Sequence, residues 1–382
     1  MTIESFDVII VGCGPAGAST ALHLLQRDHG WSERMLILEK EHFPREKLCG
    51  GGITRLGGSI LAALGLSIEV PHVYVREAHL QFEDLTILAR GVPMFWVTHR
   101  SEFDAWLSQK ASERGARLRE GEPVIHIEVN TIGVTVTTNK AQYRAKVLVG
   151  ADGSKGIVRK RAGLKRAKRV SVSRLLEVIT PEDPAVTPEF REQFATLDFS
   201  PMMNNLQGYY WDFPSLVKGE PHMNRGVFDS RTASRRPRAR LKSILAENMK
   251  ARHRDLAVVE LKGHPLHWID WRGLFSRPHV LLVGDAAGAD PLLGEGIAFA
   301  LDYGRIAADA ITDAFAREDF SFRDYRRRIM TDRLGRLLLL RWTMATVLYS
   351  KMGRWVWRLW YGALVLLHFW KFLRRQVFRK TI

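Results

Sequence analysis

Cysteine is scarce in this sequence: only two of the 382 residues are cysteines, Cys13 and Cys49. Their spacing fits no zinc site, so we expect no bound metal. So few thiols are typical of a reducing, cytosolic compartment, where disulfides are rare. The N-terminal residues, MTIESFDVIIVG, also lack the basic stretch and the small-residue cleavage site of a signal peptide. They are predicted to form a strand instead.

Acidic residues are few compared with basic ones: 41 Asp and Glu stand against 57 Lys and Arg, for a net charge of +16. Such a surface attracts anions such as lipid headgroups, phosphorylated substrates or an acidic protein. No recognised nucleic-acid-binding module accompanies the charge, so we expect no nucleic-acid partner. Two basic clusters, 155–169 and 231–242, contain no acid. They are either solvated surface or contacts for a diphosphate, a phospholipid or an acidic electron donor.

The C-terminal residues 333–382 contain no acid, and they lack a long hydrophobic run. Their longest stretch without Lys or Arg is 12 residues, 359–370, whereas a membrane-spanning helix needs about 20 apolar residues. The segment holds 11 basic residues and five tryptophans, a composition typical of helices that lie at a lipid headgroup boundary. We expect it to bind the anionic cytoplasmic face of a membrane peripherally. The alternative is a helix pair that packs on the protein's own core or on a second subunit.

A nucleotide-binding pattern begins at residue 7, in DVIIVGCGPAGASTALHLLQR. An apolar, β-branched strand leads into G-x-G-x-x-G, and a helix follows. The first glycine makes the turn, the second admits a pyrophosphate, and the third lets the helix pack on the strand. The helix N-terminus presents free N–H groups to the phosphates. The predicted cofactor contacts here are Gly12, Gly14, Pro15, Ala16 and Gly17.

The next strand, MLILEK, ends in Glu39 and Lys40. A carboxylate at this place hydrogen-bonds the ribose hydroxyls of an unphosphorylated adenosine, as in FAD or NAD. The sequence contains no second G-x-G-x-x-G for a resident nicotinamide cofactor. A reductant must therefore visit transiently or arrive as a protein.

Three later stretches favour a flavin: THRSEFDAWL, VLVGADGSKGIVRK and HVLLVGDAAGADPLLGEGIAFAL. In this order they resemble the FAD-binding framework shared by aromatic hydroxylases, flavin halogenases and geranylgeranyl reductases. The resemblance implies that Asp285 holds the ribityl chain and that a helix N-terminus approaches the flavin N1–C2=O edge, where the reduced ring is negative. The cofactor contacts that it implies are Arg100, Asp152, Gly153, Asp285, Gly294, Gly296 and Ile297.

The stretch FPREKLCGGG, residues 43–52, distinguishes among these families. Pro44, Lys47, Cys49 and Gly50 match the P-x-x-K-x-C-G pattern of geranylgeranyl reductases. The resemblance implies that Lys47 and Cys49 are catalytic, and that Cys49 and Gly50 approach the flavin and a prenyl chain. The alternative for Cys49 is a small, buried apolar residue.

The stretch YYWDFP matches a second pattern of that family, Y-x-W-x-F-P. Alternation predicts a strand with its aromatic rings on one face. That face is either ordinary core or the roof of an apolar tunnel for the substrate. The glycines that follow this motif in the family are only partly matched, by Gly226. The implied substrate contacts are Tyr209, Trp211, Phe213 and Pro214. The two histidines of GHPLHW, His264 and His267, either lie near the cavity or are structural, and we expect them to be structural.

The predicted fold is α/β, with a Rossmann-like FAD-binding domain interleaved with an α+β substrate domain, plus a C-terminal helical segment. The substrate domain would contain the strands RLLEVI, GYYWDFP and NRGVFD and a helix near 241–252. The predicted bounds are 1–75, 95–170 and 275–325 for the FAD domain, 76–94 and 171–274 for the substrate domain, and 326–382 for the C-terminal segment.

The predicted function is an FAD-dependent reductase that saturates double bonds of a geranylgeranyl-type chain on a lipid, quinone or diphosphate. NADPH or a ferredoxin-like protein would reduce the flavin. The alternatives are a flavin monooxygenase of an aromatic or quinone ring, and a membrane-associated electron carrier to quinone.

Overall fold

The computed structural model describes residues 3–166, 172–350, 353 and 355–356. Two of the segments singled out in the sequence extend beyond this part of the chain. The basic cluster 155–169 is described as far as residue 166. The predicted membrane-binding segment is described up to residue 350 and at residues 353, 355 and 356, so most of its tryptophan-rich end lies outside the described residues.

The first of two sheets is built around parallel strands whose side chains are buried, as the continuous apolar runs in β1 and β2 predict. The strand order is β15-β16-β9-β1-β2-β6, and β7 and β8 extend it from β9. All pairings along β16-β9-β1-β2-β6 are parallel, and the others are antiparallel. The strands are β1 Glu4–Val11, β2 Met35–Leu38, β6 Arg117–Arg119, β7 Val124–Val129, β8 Val134–Thr138, β9 Gln142–Gly150, β15 Ser276–Arg277 and β16 Val280–Leu282.

The second sheet is mostly antiparallel, with the order β14-β10-β13-β12-β11-β4-β5-β3. Three of its strands were predicted from RLLEVI, GYYWDFP and NRGVFD. Its strands are β3 Gly52–Thr54, β4 His72–Phe82, β5 Leu85–Thr98, β10 Val172–Pro181, β11 Phe194–Asp198, β12 Gly208–Val217, β13 Glu220–Asp229 and β14 Lys262–His267.

Eleven α-helices accompany the sheets in the described part of the chain. Helices α1, α4 and α9 pack together beside the first sheet, and α7 packs on the second. None of the described helices is long and apolar enough to cross a membrane. The helices are α1 Pro15–Arg27, α2 Trp31–Arg34, α3 Arg55–Ala63, α4 Arg100–Glu113, α5 Val158–Arg161, α6 Pro188–Arg191, α7 Leu241–Ala251, α8 Gly284–Ala287, α9 Ile297–Arg317, α10 Tyr325–Thr331 and α11 Arg333–Leu348.

The two faces of the second sheet bury different cores. Tyr209 and Trp211 of β12 point into one core, together with Phe228 of the neighbouring strand. Tyr210 points the other way, into a core that includes Ile244 of α7. This is the alternation that the sequence predicts, and it turns the aromatic side of β12 towards the first sheet.

The predicted fold class is confirmed. The structure differs from the predicted domain bounds in one respect. Strand β5 continues in the second sheet to Thr98, across the predicted boundary between residues 94 and 95. The C-terminal helix α11 buries Leu334 and Leu338 against the rest of the protein, and Tyr349 just beyond the helix is also buried. The residues up to about 350 are therefore part of the folded body.

Candidate active site

A cavity of about 440 Å³ opens at the carboxyl ends of β1, β2 and β9, where neighbouring parallel strands release their loops. Most of the predicted cofactor contacts line it: Gly12, Gly14, Pro15, Ala16, Glu39, Lys40, Arg100, Asp152, Gly153, Asp285, Gly296 and Ile297, with Lys47. Four others do not line it, namely Gly17, Cys49, Gly50 and Gly294.

The three glycines of the first motif have separate tasks. Gly12 has a φ of +96°, and a Cβ placed on it would lie 2.6 Å from the carbonyl oxygen of Ala151. A Cβ on Gly17 would lie 1.9 Å from the carbonyl oxygen of Gly12, which explains why Gly17 holds α1 against the turn and does not line the cavity. A Cβ on Gly14 would meet only the Nη2 atom of Arg45, at 3.4 Å. Gly14 therefore leaves the cavity open for a ligand.

The N-termini of two helices lie at this cavity. Gly14 is the N-cap of α1 and Gly296 is the N-cap of α9, and neither end receives a side-chain hydrogen bond from its cap. A Cβ on Gly296 would have no neighbour closer than 3.9 Å. Uncapped amides and helix dipoles favour anionic groups. The pair suits a ligand that carries negative charge at two places, as a pyrophosphate and a reduced flavin do.

Glu39 is held at the end of β2 by the main-chain amide of Cys13, which donates to its Oε2 at 2.9 Å. Arg45 lies beside it, with Nε 3.7 Å from the same oxygen and Nη2 3.2 Å from Oδ2 of Asp104. The Arg45 Nε is buried and has no hydrogen-bond partner. Sequence reasoning missed Arg45, although it stands between the matched residues of FPREKLCGGG.

Arg100 begins α4 and donates from Nε and Nη2 to the two carboxylate oxygens of Asp104, both at 2.8 Å. Both side chains are buried. Burial lowers the pKa of Arg100, but Asp104 and the sulfur of Cys49 oppose that effect and leave the pKa raised. Arg100 is therefore a fixed cation that contacts the cavity on one side and Cys49 on the other.

Asp152 follows β9, and its Oδ2 accepts from the main-chain amide of Val158 at 2.8 Å. Its Oδ1 is buried without a hydrogen-bond partner. Burial raises the pKa of Asp152 to about 6, against the effect of main-chain amides such as that of Val158. A buried, unpartnered oxygen in a cavity wall indicates a place for a donor from a ligand.

Lys47 enters the cavity wall from the loop before β3, and its Nζ lies 3.0 Å from Nε2 of His264 on β14. Burial lowers the pKa of Lys47, while Asp285 raises it. Burial, followed by the charge of Lys47, lowers the pKa of His264 to about 3. His264 is therefore a neutral acceptor in the cavity wall, the alternative to the structural role that we expected for it. Its position opposite Leu175 in the second sheet could not be read from spacing.

Cys49 lies where the two sheets meet. Its carbonyl oxygen accepts from Nδ2 of Asn224 at 3.2 Å, and Oδ1 of Asn224 accepts from Nε1 of Trp211 at 2.8 Å. A Cβ on Gly50 would lie 3.2 Å from the ring of Phe213. The glycines after Cys49 thus let the turn pass against the aromatic side of β12.

The aromatic side chains of β12 do not line the 440 Å³ cavity. Tyr209 and Trp211 are buried in the core on that side of the sheet, and Pro214 is buried as well. The hydroxyl of Tyr209 donates to the carbonyl oxygen of Leu293 at 2.5 Å, next to Gly294. A Cβ on Gly294 would lie 3.0 Å from the ring of Phe228. The structure thus brings the implied substrate residues to the Cys49 turn and the Gly294 loop, in a packed arrangement.

The described residues fit FAD. Gly14 leaves a bare backbone at the cavity, Glu39 places a carboxylate at the end of β2, where the sequence predicts the ribose, and the α9 N-terminus offers free amides. The profile of the FAD binding domain family matches residues 5–301.

The chain belongs to this FAD-binding family.

Two sequence relatives of this chain are named as reductases. The menaquinone reductase of Mycolicibacterium smegmatis is 28% identical over 330 residues, which cover 80% of this chain and 76% of that protein. The digeranylgeranylglycerophospholipid reductase of Methanosarcina acetivorans is 25% identical, over 83% of this chain and 78% of that protein. The crystal structure of a geranylgeranyl bacteriochlorophyll reductase-like protein from Thermoplasma acidophilum superposes with a TM-score of 0.75 at 24% identity, covering 91% and 89% of the two chains.

These comparisons confirm three predictions: the resemblance to geranylgeranyl reductases, FAD as the cofactor, and an FAD-dependent oxidoreductase as the class of enzyme. They support a reductase that acts in isoprenoid or quinone chemistry. The roles of single residues remain predictions.

Proposed function

We propose that this protein is an FAD-dependent reductase that saturates carbon–carbon double bonds of a geranylgeranyl-type chain carried by a lipid or quinone. One observation carries the proposal. The Cys49 turn contacts the cavity-lining Arg100 on one side and, through Asn224, the Trp211 end of the aromatic side on the other. The turn therefore stands between a cofactor cavity and an apolar, aromatic surface, which is where a prenyl chain has to meet a flavin.

The apolar surface suits an isoprenoid. Aromatic rings bury large areas, and the polar tips of Tyr209 and Trp211 are already satisfied by Leu293 and Asn224. A prenyl chain that displaced part of this packing would need no polar partner. The names of the two reductase relatives support a lipid or quinone carrier for the chain.

Bound FAD, once reduced, supplies a hydride. The chain's own residues would bind the cofactor and prepare its surroundings: Asp285 would hold the ribityl chain, and the α9 N-terminus together with Lys47 would stabilise negative charge on the reduced ring. Cys49 would line the end of the apolar site. An isolated alkene accepts hydride poorly, so positioning and exclusion of water must lower much of the barrier. NADPH or an acidic, ferredoxin-like protein would reduce the flavin.

We also propose that α11 and the tail dock on an anionic membrane at its cytoplasmic face. The inner side of α11 is buried, whereas Leu339, Leu340, Met344 and Val347 on its outer side are 49, 56, 39 and 46% exposed. Trp355 is 67% exposed. The residues 333–382 carry 11 basic residues and no acid. An apolar stripe with basic flanks is typical of interfacial helices, and it would bring the site to a membrane-embedded substrate.

The proposal is tested by the products of the enzyme after dithionite has reduced its flavin and the excess dithionite has been removed, because dithionite itself reduces quinone rings. Menaquinone and a digeranylgeranylglycerophospholipid are supplied separately in anionic vesicles and followed by mass spectrometry. We expect a gain of two hydrogens for each bond reduced. An added oxygen in air would support a monooxygenase, and a reduced quinone ring with an unchanged tail would support an electron carrier. Either result without tail reduction would overturn the proposal.

A further inference from the structure

A carboxyl group that sequence reasoning did not single out lies directly behind the Cys49 turn. Glu177 is on β10, and only 3% of its surface is exposed. The strand register places it opposite Lys262 of β14 on one side and Gly226 of β13 on the other. Gly226 in turn pairs with Trp211 of β12. These residues form one row across the side of the sheet that faces the flavin domain.

Gly226 lies between Trp211 and Glu177 in this row and allows the two side chains to approach each other. A Cβ on Gly226 would lie 2.2 Å from Cζ2 of Trp211, so the indole ring occupies the space above this glycine. Gly226 is the glycine that partly matches the family's pattern after Y-x-W-x-F-P. Its lack of a side chain lets the aromatic ring extend across β13 towards the carboxyl group.

Glu177 has polar neighbours on the side of the turn. The side chain of Asn224 and the main-chain amide of Cys49 lie beside its carboxyl group and lower its pKa. Its Oε2 is nevertheless buried and has no hydrogen-bond partner. Cys49 thus contacts Glu177 through its backbone and the cavity-lining Arg100 through its sulfur. A buried oxygen without a partner, next to a proposed reaction site, needs an explanation.

Protonation of the Glu177 carboxyl group explains how this oxygen can be buried without a hydrogen-bond partner. Burial raises the pKa of Glu177 to about 7, against the opposing effects of Asn224, the Cys49 amide, Lys262 and Arg100. The two facing cations are themselves paired, Lys262 with Glu46 and Glu260 and Arg100 with Asp104. A large fraction of Glu177 therefore carries a proton near neutral pH.

We propose that Glu177 supplies the proton that completes double-bond reduction at the Cys49 turn. The inference rests on the function proposed above. The alkene π bond breaks as one carbon takes the hydride from the reduced cofactor and the other takes a proton. The O–H bond of Glu177 breaks to provide that proton, and the carboxylate regains one from water. The alkene gains two electrons and the cofactor loses two, which NADPH or an iron–sulfur protein restores.

The test compares Glu177→Gln with Glu177→Asp in the holoenzyme, using the two vesicle-borne probes named above and dithionite. The Gln side chain keeps the shape of a protonated carboxyl but cannot release a proton. We expect it to keep FAD and the wild-type rate of flavin bleaching, and to reduce the alkene on the order of 100-fold more slowly. Wild-type turnover should fall as pH rises above about 7, while that dependence is lost in the Gln variant. The Asp variant should recover part of the rate.

The role of Glu177 would be overturned if the Gln variant reduced the alkene at the wild-type rate. It would also be overturned if the variant lost FAD or flavin bleaching to the same extent as it lost turnover. An independent measurement follows the infrared C=O band of a protonated carboxyl. It should disappear in the wild type as pH rises through about 7, and it should be missing from Glu177→Gln. The absence of such a titrating band would also overturn the role. If the wild type bleaches normally but reduces neither probe, the proposed function itself fails, whatever the infrared result.

Discussion

Arg341 of α11 pairs with Glu295 of the Gly294–Gly296 loop, Nη2 to Oε2, at 2.5 Å. Its Nη1 pairs with Asp290 at 2.7 Å, and Asp290 accepts from the main-chain amides of Leu292 and Leu293. One arginine therefore ties the helix with the exposed apolar stripe to the loop that starts α9. Both carboxylates are buried, so this link is part of how the cavity keeps its shape.

Replacing Arg341 with Gln should leave two buried carboxylates without their cation. We expect a loss of about 3 kcal/mol in the free energy of unfolding and weaker FAD binding, because the loop is no longer held. Urea unfolding and a flavin fluorescence titration measure the two effects. Arg336→Gln is the matched control, since Arg336 is exposed on the same helix. Equal behaviour of the two variants would show that the pairs of Arg341 do not hold the loop.

Gly14→Val should abolish FAD binding and spare the fold. The backbone of Gly14 is extended, with a φ of −75°, and a Cβ there would meet only the end of the Arg45 side chain. The added methyl groups would instead occupy the pyrophosphate position. A colourless protein with the melting temperature of the wild-type apoprotein is the expected result. Gly17→Val is the contrasting variant, because its Cβ would collide with the backbone of Gly12 and should prevent folding. A yellow Gly14→Val protein would contradict the placement.

Local patterns predicted much of this site, because the residues of each motif are close in sequence. The G-x-G-x-x-G turn and Glu39 follow from one βαβ unit, and the alternation of Tyr209 and Trp211 follows from a single strand. Glu177 could not be found in this way. Its importance comes from β10 lying beside β13, from Gly226 lacking a side chain, and from a turn that begins in the other sheet.

The C-terminal helix shows the same limit. Composition predicted an amphipathic segment but could not say which side is buried. In the structure Leu338 packs inward, and the next two residues, Leu339 and Leu340, face solvent. The long-range pair of Arg341 with Glu295 accompanies that orientation, and no spacing rule predicts it.

Cys49→Ala should keep FAD and slow alkene reduction. The sulfur accepts from the amide of Gly51 at 3.5 Å and contacts Arg100, so its loss removes a polar group at the proposed reaction end without opening the fold. Flavin bleaching by dithionite should be unchanged, and product formation should fall at least tenfold. Cys13→Ala is a control, because Cys13 is buried in the flavin-domain core and faces no substrate surface. Unchanged turnover in Cys49→Ala would make Cys49 a packing residue.

Glu177 should also make stability depend on pH. Its pKa rises from 4.5 in the unfolded chain to about 7 in the fold, so the folded state favours the protonated form. The stabilisation is complete below about pH 4.5 and is lost as pH rises to about 7. Relative to Glu177→Gln, the wild type should lose about 3 kcal/mol of unfolding free energy across this window and remain constant above it. Urea unfolding of both proteins at several pH values measures the difference between their unfolding free energies. The contributions of other titrating groups cancel in this difference. A difference that does not change with pH would mean that Glu177 is not protonated in the fold.

Membrane docking is best tested without removing α11, because truncation after Asp332 would delete Arg341 and the buried Tyr349 and damage the fold. A triple variant, Leu340→Gln, Met344→Gln and Val347→Gln, changes only exposed side chains. Each apolar side chain contributes about 1.5 to 3 kcal/mol when fully buried, so even partial insertion of three should change partitioning on the order of 100-fold. We expect the wild type to sediment with anionic vesicles and the variant to stay in solution, with unchanged FAD content. Leu88→Gln is the matched control, since Leu88 is 47% exposed on the second sheet.

A second comparison uses a chain that ends at Ser350 and separates the apolar stripe of α11 from the tail that follows it. If only this truncation releases the protein from the vesicles, the tail alone docks. If neither the truncation nor the triple variant releases it, α11 does not bind the membrane.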